Sequence, residues 1–490
     1  MLIQDQNTQM YGRAGTPSCN MLRDIFARSW FTRIWTAQEL SLGTDARILC
    51  GEYEISWPRL QYAMTWLAQI EKNTTPDIAN DLQLLNRIHV YQHLRGIVQP
   101  TLSPHLVMER QKDRRISKLL ALVHPLQSWN PRDKIYGLYG CFTALGYRDL
   151  PLVDYDRPLS RVYSDFARLA MPREQSLDLL YSLGHKPTIP DLESWSPDWS
   201  TCGNHWRHGW PERVAASKAS KPRFYFVGDS ELHAAGVIID TINHRPSSNL
   251  PDAQDLSPGE PVHGFPRPDD VLRQMKQSVQ TWQEWVVLVI QLGNGAYPPG
   301  AAWEAFGRTL VQNGVIGLLP HYTIADDVLA QVGTWVSIMM SSYPGIIDVE
   351  QEVLDLIDEA VKIALERPAI QMLYFHEGVD PESIIATPAW RSMIAANYCT
   401  ARDLHRWIFK MTTGKTFFTT ENGYMGTGSE LAQAGDQIAL ISGMRFPMIV
   451  RRNDGDGMYG FVCPAYVHGL MDGEKWPEDE STGVEILVFT

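Results

Sequence analysis

Little in this 490-residue chain points to an oxidising compartment, a bilayer or a polyanion. Its six cysteines, Cys19, Cys50, Cys141, Cys202, Cys399 and Cys463, are scattered without a paired spacing, which suits buried thiols in a reducing compartment better than a disulfide framework. The longest apolar run, WVVLVIQL (Trp285–Leu292), falls far short of the ~20 residues of a membrane span. The opening MLIQDQNTQM is polar and lacks the basic-then-apolar order of a signal peptide. Basic charge is in deficit: 43 Lys and Arg stand against 56 Asp and Glu, a formal charge of −13. A general nucleic-acid binder needs a cationic face to displace counterions, and the nearest basic run, ERQKDRRISK (Glu109–Lys118), reads as a solvated helical face. Gly-x-Ser-x-Gly is missing, so an α/β-hydrolase nucleophile elbow has no support. The Gly-rich NGYMGTG (Asn422–Gly428) lacks the Lys-Ser/Thr ending of a phosphate loop and reads as a tight β-turn. These absences lead to the expectation of a cytoplasmic protein with no nucleic-acid partner and no membrane span.

What is present is an apolar fraction of 44%, a charged fraction of 20% and 16 Trp, in a chain too long for one core. The expected fold class is α+β, with a mainly helical N-terminal half and a small C-terminal antiparallel β barrel or sandwich carrying a helical insertion. SWFTRIWTAQELSLG has helical periodicity, with Ser29 placed to cap its start and Gly43 to stop it. VDYDRPLSRVYSDFARLAM combines an Asp-rich turn with an amphipathic helix from about Ser160. RFYFVGDSELHAAGVIIDTI (Arg223–Ile242) alternates around a Gly-Asp-Ser turn, a hairpin signal. Helices are expected near 270–292, 325–342, 349–366 and 386–408, and short strands recur beyond 410. The resulting map is a helical region over 1–210, hairpin and linker over 211–269, a helical insertion over 270–408 and a β unit over 409–490. Pairing of the hairpin with the strands beyond 410 would close the β unit.

Five segments, in order, resemble one family. RSWFTRIWTAQE (Arg28–Glu39) is similar to the block that closes the domain of the fungal heterokaryon-incompatibility (HET) proteins. NPRDKIYGLYG (Asn130–Gly140), VDYDRP with VYSDFA (Val153–Ala167) and WSPDWS (Trp195–Ser200) resemble blocks that follow it. GDQIALISGMRFPMIVRR with YGFVCPAYVHGLMDGE (Gly435–Glu474) resembles the C-terminal region. The family's earlier blocks, a Tyr-x-x-Leu-Ser-Tyr-x-Trp-Gly-like strand and a Trp-x-Asp-x-x-Cys-Ile-Asn-Gln-like segment, are not found here. The resemblance therefore implies the end of a HET domain plus the complete downstream half. Its expected role is a regulatory or interaction module in non-self recognition and incompatibility-type cell death, working with a protein partner or a separate toxic domain.

The resemblance also implies a candidate chemistry. HET domains resemble Toll/interleukin-receptor-like domains, some of which cleave NAD with a Trp-x-x-x-Glu glutamate. Here Trp35 and Glu39 lie four apart on one helical face, with Gln38 beside them. A carboxylate beside the ribose can stabilise the oxocarbenium-like state formed as nicotinamide leaves. In that alternative NAD is a substrate, and no cofactor is expected; a second alternative is a scaffold recruited to small-molecule, secondary-metabolite chemistry. The bland reading has Trp35 in the core and Glu39 paired with Arg33 or with a backbone group. Cys202, His205 and His208, with His185 upstream, are ligand types for zinc at a spacing that matches no common zinc pattern, so a metal is not favoured. Arg132, Asp133 and Asp198, at Pro-marked turns, read as an ion pair and backbone caps that set the fold, with a catalytic role as the alternative should they line one cleft.

Overall fold

The computed structural model of the chain describes residues 28–60, 115–201, 214–247, 281–312 and 411–490, less a few isolated positions, together with Tyr62, Tyr91, Leu94, Val98 and Ile408. The helices expected at 325–342 and 349–366, nearly all of 386–408, and the Cys202, His205 and His208 group lie outside these residues. The chain divides into two compact units, Met1–Ser182 with Pro187–Asn204, and Leu183–Lys186 with His205–Thr490.

The first unit is helical. The stretch from Ser29, expected as one helix, is two pieces: a 3-10 turn over Ser29–Thr32 and an α-helix over Trp35–Leu42. The break at Arg33 has a long-range cause. Ile34 N–H donates to the Gln127 carbonyl at 2.8 Å and Gln127 N–H to the Thr32 carbonyl at 2.5 Å, a bridge that holds Arg33 extended and leaves Ser29 no helix to cap. A two-stranded hairpin follows, β1 (Arg47–Cys50) and β2 (Tyr53–Ser56). Further helices span Ile116–Val123, Asp133–Tyr136, Tyr139–Ala144 and Leu159–Glu174. The last begins directly after Pro158 and ends at Gln175, whose φ of 46° is left-handed. Its buried apolar residues, Val162, Tyr163, Phe166, Ala167, Ala170 and Met171, follow the three-and-four spacing of a core-facing stripe. Tyr163 and Phe166 meet the Trp199 ring at 5.0 and 5.8 Å, and Phe142 stacks on Phe166.

The second unit is built on β3 (Phe224–Val227), β4 (Glu231–His244), β5 (Lys415–Thr420), β6 (Met425–Ser429), β7 (Gln437–Ile441), β8 (Met448–Arg452), β9 (Tyr459–Pro464), β10 (Tyr466–Val467) and β11 (Glu485–Phe489). The 223–242 hairpin does pair with strands beyond 410: β4 is antiparallel to β11, β7 and β5 as well as to β3. Following β4 to β7, β8, β9 and β11 returns to β4, so the pairings close on themselves; the β9–β11 step is parallel and the others antiparallel. One strand can serve four neighbours because its register shifts between Ile238 and Asp240 and again between Ile242 and His244, and each irregularity bends it. Its far end carries β5, β6 and β10. Helices at 281–292 and Ala302–Val311 cover this extension, and the second of them lies outside the expected helices. The helices of the N-terminal part and the mixed, mainly antiparallel sheet of the C-terminal part make the chain α+β.

Candidate functional site

The helix Trp35–Leu42 presents the candidate triad unequally. The Trp35 indole Nε1 donates to Asp133 Oδ2 at 3.3 Å, and Tyr155 OH donates to the other oxygen of the same carboxylate at 2.7 Å. Gln38 Oε1 accepts the Gly140 backbone N–H at 3.1 Å. A Cβ at position 140 would lie 2.7 Å from Gln38 Oε1 and 2.8 Å from Leu42 Cδ1, so a side chain there would push the Gln38 amide off this bond. Two of the three sequence-selected residues are thus occupied in fastening the helix to the NPRDKIYGLYG segment. Glu39 is exposed, and its carboxylate has neither an ion-pair nor a hydrogen-bond partner among the described residues, although its carbonyl accepts the Gly43 N–H; the anticipated pairing with Arg33 is not formed.

Around this fastening the polar side chains hold backbone. Arg132 does not pair with Asp133. Its Nε and Nη2 both donate to the Arg157 carbonyl, at 2.9 and 2.6 Å, while its own N–H is taken by Asn130 Oδ1. Tyr136 OH donates to the Asp154 carbonyl at 3.1 Å. Burial, with help from the Asp133 hydrogen bond, pushes the Tyr155 phenol up to about 12. Asp198, 7% exposed, accepts from Thr188 N and Oγ1 at 2.9 and 3.0 Å on one oxygen and from Ser200 on the other. It is a fold determinant, as its place between Pro197 and Trp199 implied.

The second unit holds a polar cluster that no sequence spacing announced. Tyr297 OH accepts the Met425 N–H at 2.8 Å and donates to the His468 carbonyl at 3.1 Å; its ring lies 5.5 Å from the His468 imidazole and 6.4 Å from Tyr424. Tyr466 OH lies 3.3 Å from His468 Nδ1, Arg308 pairs with Glu304 at 2.7 Å, and the buried Gln312 donates to Thr427 Oγ1. Burial, with the positive charge of Arg308 adding to it, lowers the imidazole to about 4, so His468 is neutral near pH 7. Burial raises the phenols of Tyr297 and Tyr466. Tyr297 lies 171 residues from His468 in sequence, which is why neighbouring-residue motifs could not bring the two halves of the cluster together.

Two further groups are structural. Arg451 grips Asp436 with Nε and Nη2 at 2.7 and 2.9 Å, a bidentate pair whose carboxylate is 2% exposed. Burial drives Lys415 down to about 7 and the Cys463 thiol up to about 12, so Cys463 is not an activated thiolate. Among the described residues no three His, Cys, Asp or Glu side chains converge to hold a metal ion.

Residues 392–482 match the family model of the Het-6 beta-barrel domain. The chain is also 24% identical to the Neurospora crassa protein "Heterokaryon incompatibility protein 6, OR allele" across 91% of this chain. It spans 64% of the length of that curated relative. No solved structure matches it. The two matches bear out the resemblance to the heterokaryon-incompatibility proteins. The matched span contains β5 to β10, whereas the strands that complete the pairing circuit, β4 and β11, lie on either side of it.

Proposed function

We propose that this chain serves in fungal heterokaryon incompatibility as an interaction module that acts through a protein partner, its barrel packing against or releasing a toxic domain. The observation that carries this reading is the alignment along 91% of the chain to a protein named for incompatibility, with a Het-6 beta-barrel domain at its C-terminal side. Two facts support a module over an enzyme. Trp35 Nε1 and Gln38 Oε1 are committed to Asp133 and Gly140, and in the His468 cluster Tyr297 OH bonds the His468 carbonyl while Tyr466 OH lies against Nδ1. Among the described residues no helix is long and apolar enough to cross a membrane. Action in the cytoplasm is part of the proposal.

The test is genetic. A fungal strain expressing the chain is fused with tester strains and scored for heterokaryon viability, beside the same strain expressing Phe489→Ala, which removes a fully buried ring stacked on Phe461 at the closing strand. Incompatibility that depends on the intact barrel supports the module. Full viability with both forms in every pairing rejects it.

One observation favours a second reading. Glu39 is exposed and without an ion pair among the described residues, as a carboxylate awaiting a ligand would be. In that reading Glu39 cleaves NAD, and NAD loss by the purified chain disappears in Glu39→Ala; loss that persists in the variant removes Glu39 from the chemistry.

A further inference from the structure

The loop running from Pro151 to Pro158 is exposed at every residue from Leu152 onward, yet it is fastened from beneath. Tyr136 OH bonds both the carbonyl and the N–H of Asp154, at 3.1 and 3.3 Å. Tyr155 OH reaches Asp133, and the Arg157 carbonyl takes two N–H groups of Arg132. The Tyr136 and Tyr155 rings meet edge to face at 5.4 Å. On this rigid base the loop holds Leu152 at 89%, Val153 at 51% and Tyr155 at 45% exposure, and Trp129, beside the Asn130 that anchors Arg132, is wholly exposed. A lone exposed apolar side chain is ordinary, whereas a group on one interlocked pair of segments marks a contact surface. Ordering the loop in advance lowers the entropy that a partner must overcome, and Trp and Tyr are the residue types that anchor such contacts.

The charges say what kind of partner fits. Arg157 is neutralised by Asp165 and Asp149 by Arg173, while Arg132 keeps its charge, with its guanidinium held on a carbonyl at the base of the loop. Between Pro151 and Pro158 the carboxylates of Asp154 and Asp156 remain exposed, with no ion-pair partner among the described residues. They flank Tyr155, in a chain of formal charge −13. We infer that Trp129, Leu152, Val153 and Tyr155, with Asp154 and Asp156, form a docking surface for a partner-protein segment that presents apolar side chains bordered by Lys or Arg. The inference rests on the interaction-module reading for the existence of a protein partner, and adds the face and its chemistry. Long-range attraction brings the basic segment in, and the apolar anchors hold it.

The experiment uses the full chain and two fluorescein-labelled peptides of equal length, one alternating Leu with Lys and one alternating Leu with Glu. Wild type is compared with Trp129→Ser/Leu152→Ser, which keeps every charge, and with Asp154→Lys/Asp156→Lys, which keeps every apolar group; thermal unfolding checks that both remain folded. The expected result is salt-sensitive binding of the Lys peptide to wild type, weakened about tenfold or more in each variant, with no binding of the Glu peptide. Equal binding of the Lys peptide to all three proteins means attraction to the net charge alone and overturns the inference, as does binding of the Glu peptide. A wild-type dimer that becomes a monomer in Trp129→Ser/Leu152→Ser assigns the surface to a second copy and also overturns it. Loss of peptide specificity with barrel-dependent incompatibility intact removes only the surface. Specific binding beside unaltered heterokaryon viability removes only the incompatibility role.

Discussion

Phe417 and Phe418, adjacent in β5, bury their rings in two different cores. Successive strand residues face opposite sides, and here both sides are covered. Phe417 meets Trp285 and Phe306, each at 5.6 Å, in the cluster formed with the helices at 281–292 and Ala302–Val311. Phe418 joins Ile242, Ile438, Ile449 and Cys463 in a separate cluster of the sheet. Both residues are 0% exposed. Each Phe→Ala change is expected to cost about 3–5 kcal/mol. The two differ in where protection is lost. Hydrogen exchange should open first over 281–311 in Phe417→Ala and over β7 and β8 in Phe418→Ala. The same exchange pattern in both variants would show a single core.

Gly423, the glycine of the β5–β6 turn, is expected to tolerate substitution poorly. Its φ is +86°, and a Cβ would lie 2.7 Å from Gly295 Cα and 2.8 Å from Ala296 N, which are backbone atoms without a side chain to swing aside. Gly295 returns the constraint, with Ala296 N–H donating to the Gly423 carbonyl at 3.0 Å. Gly423→Ala should lose about 1–2 kcal/mol to left-handed backbone and about 1–3 kcal/mol to overpacking. Gly435→Ala, at φ +92° with nothing within 4 Å of the added carbon, should lose only the first part. Urea midpoints of the two variants give the comparison, and equal losses would mean that the close approach carries no weight.

Asp133 should show its importance through the two donors it satisfies. Asp133→Ala leaves the Trp35 indole and the Tyr155 phenol without their acceptor, at a cost of about 1–3 kcal/mol. Asp133→Asn keeps an acceptor oxygen and should lose less. Tyr155 reports the same bond separately: its phenol should fall from about 12 but stay above its ordinary value of 10.0, because burial is the larger cause of the rise. Tyrosinate absorbance, compared with and without the substitution, reads that shift; an unchanged titration would show that Asp133 does not bond Tyr155 in solution.

The parts of this fold legible in sequence are those written in local periodicity. The stripe from Val162 to Met171 and the alternation of β4 depend on neighbours within a few residues, and both elements appear where those patterns lie. The break at Arg33 was hidden, because the partner that extends it is Gln127, far along the chain. NGYMGTG (Asn422–Gly428) reads as a tight β-turn, yet its Met425–Gly428 part belongs to a fully buried strand, Met425–Ser429. Its glycines are there because the Phe418 ring and the Tyr466 carbonyl would meet a Cβ at Gly426, and Ile449 one at Gly428. The candidate site divides the same way. Helical spacing put Trp35, Gln38 and Glu39 together, but their different fates follow from Asp133 and Gly140, about a hundred residues on.

His468 gives the protein a defined acid sensitivity. Its imidazole is lowered from 6.5 to about 4 by burial, with the positive charge of Arg308 assisting and the negative charge of Glu304 opposing; the Tyr297 and Tyr466 phenols also face it and stay protonated through this range. Between pH 6.5 and 4 the unfolded chain therefore takes up a proton that the folded chain refuses. The stability contributed above pH 6.5 is lost as pH falls through that window, by about 1–3 kcal/mol at roughly 1.4 kcal/mol per pK unit and allowing for partial solvent access. In His468→Gln the group no longer titrates, so the fall in stability from pH 7 to pH 4.5 should be smaller than in wild type by that amount, even if the variant is less stable at pH 7. Urea unfolding at both pH values, on both proteins, gives the difference of differences. A value of zero would mean that the imidazole is as free to protonate in the folded chain as in the unfolded one.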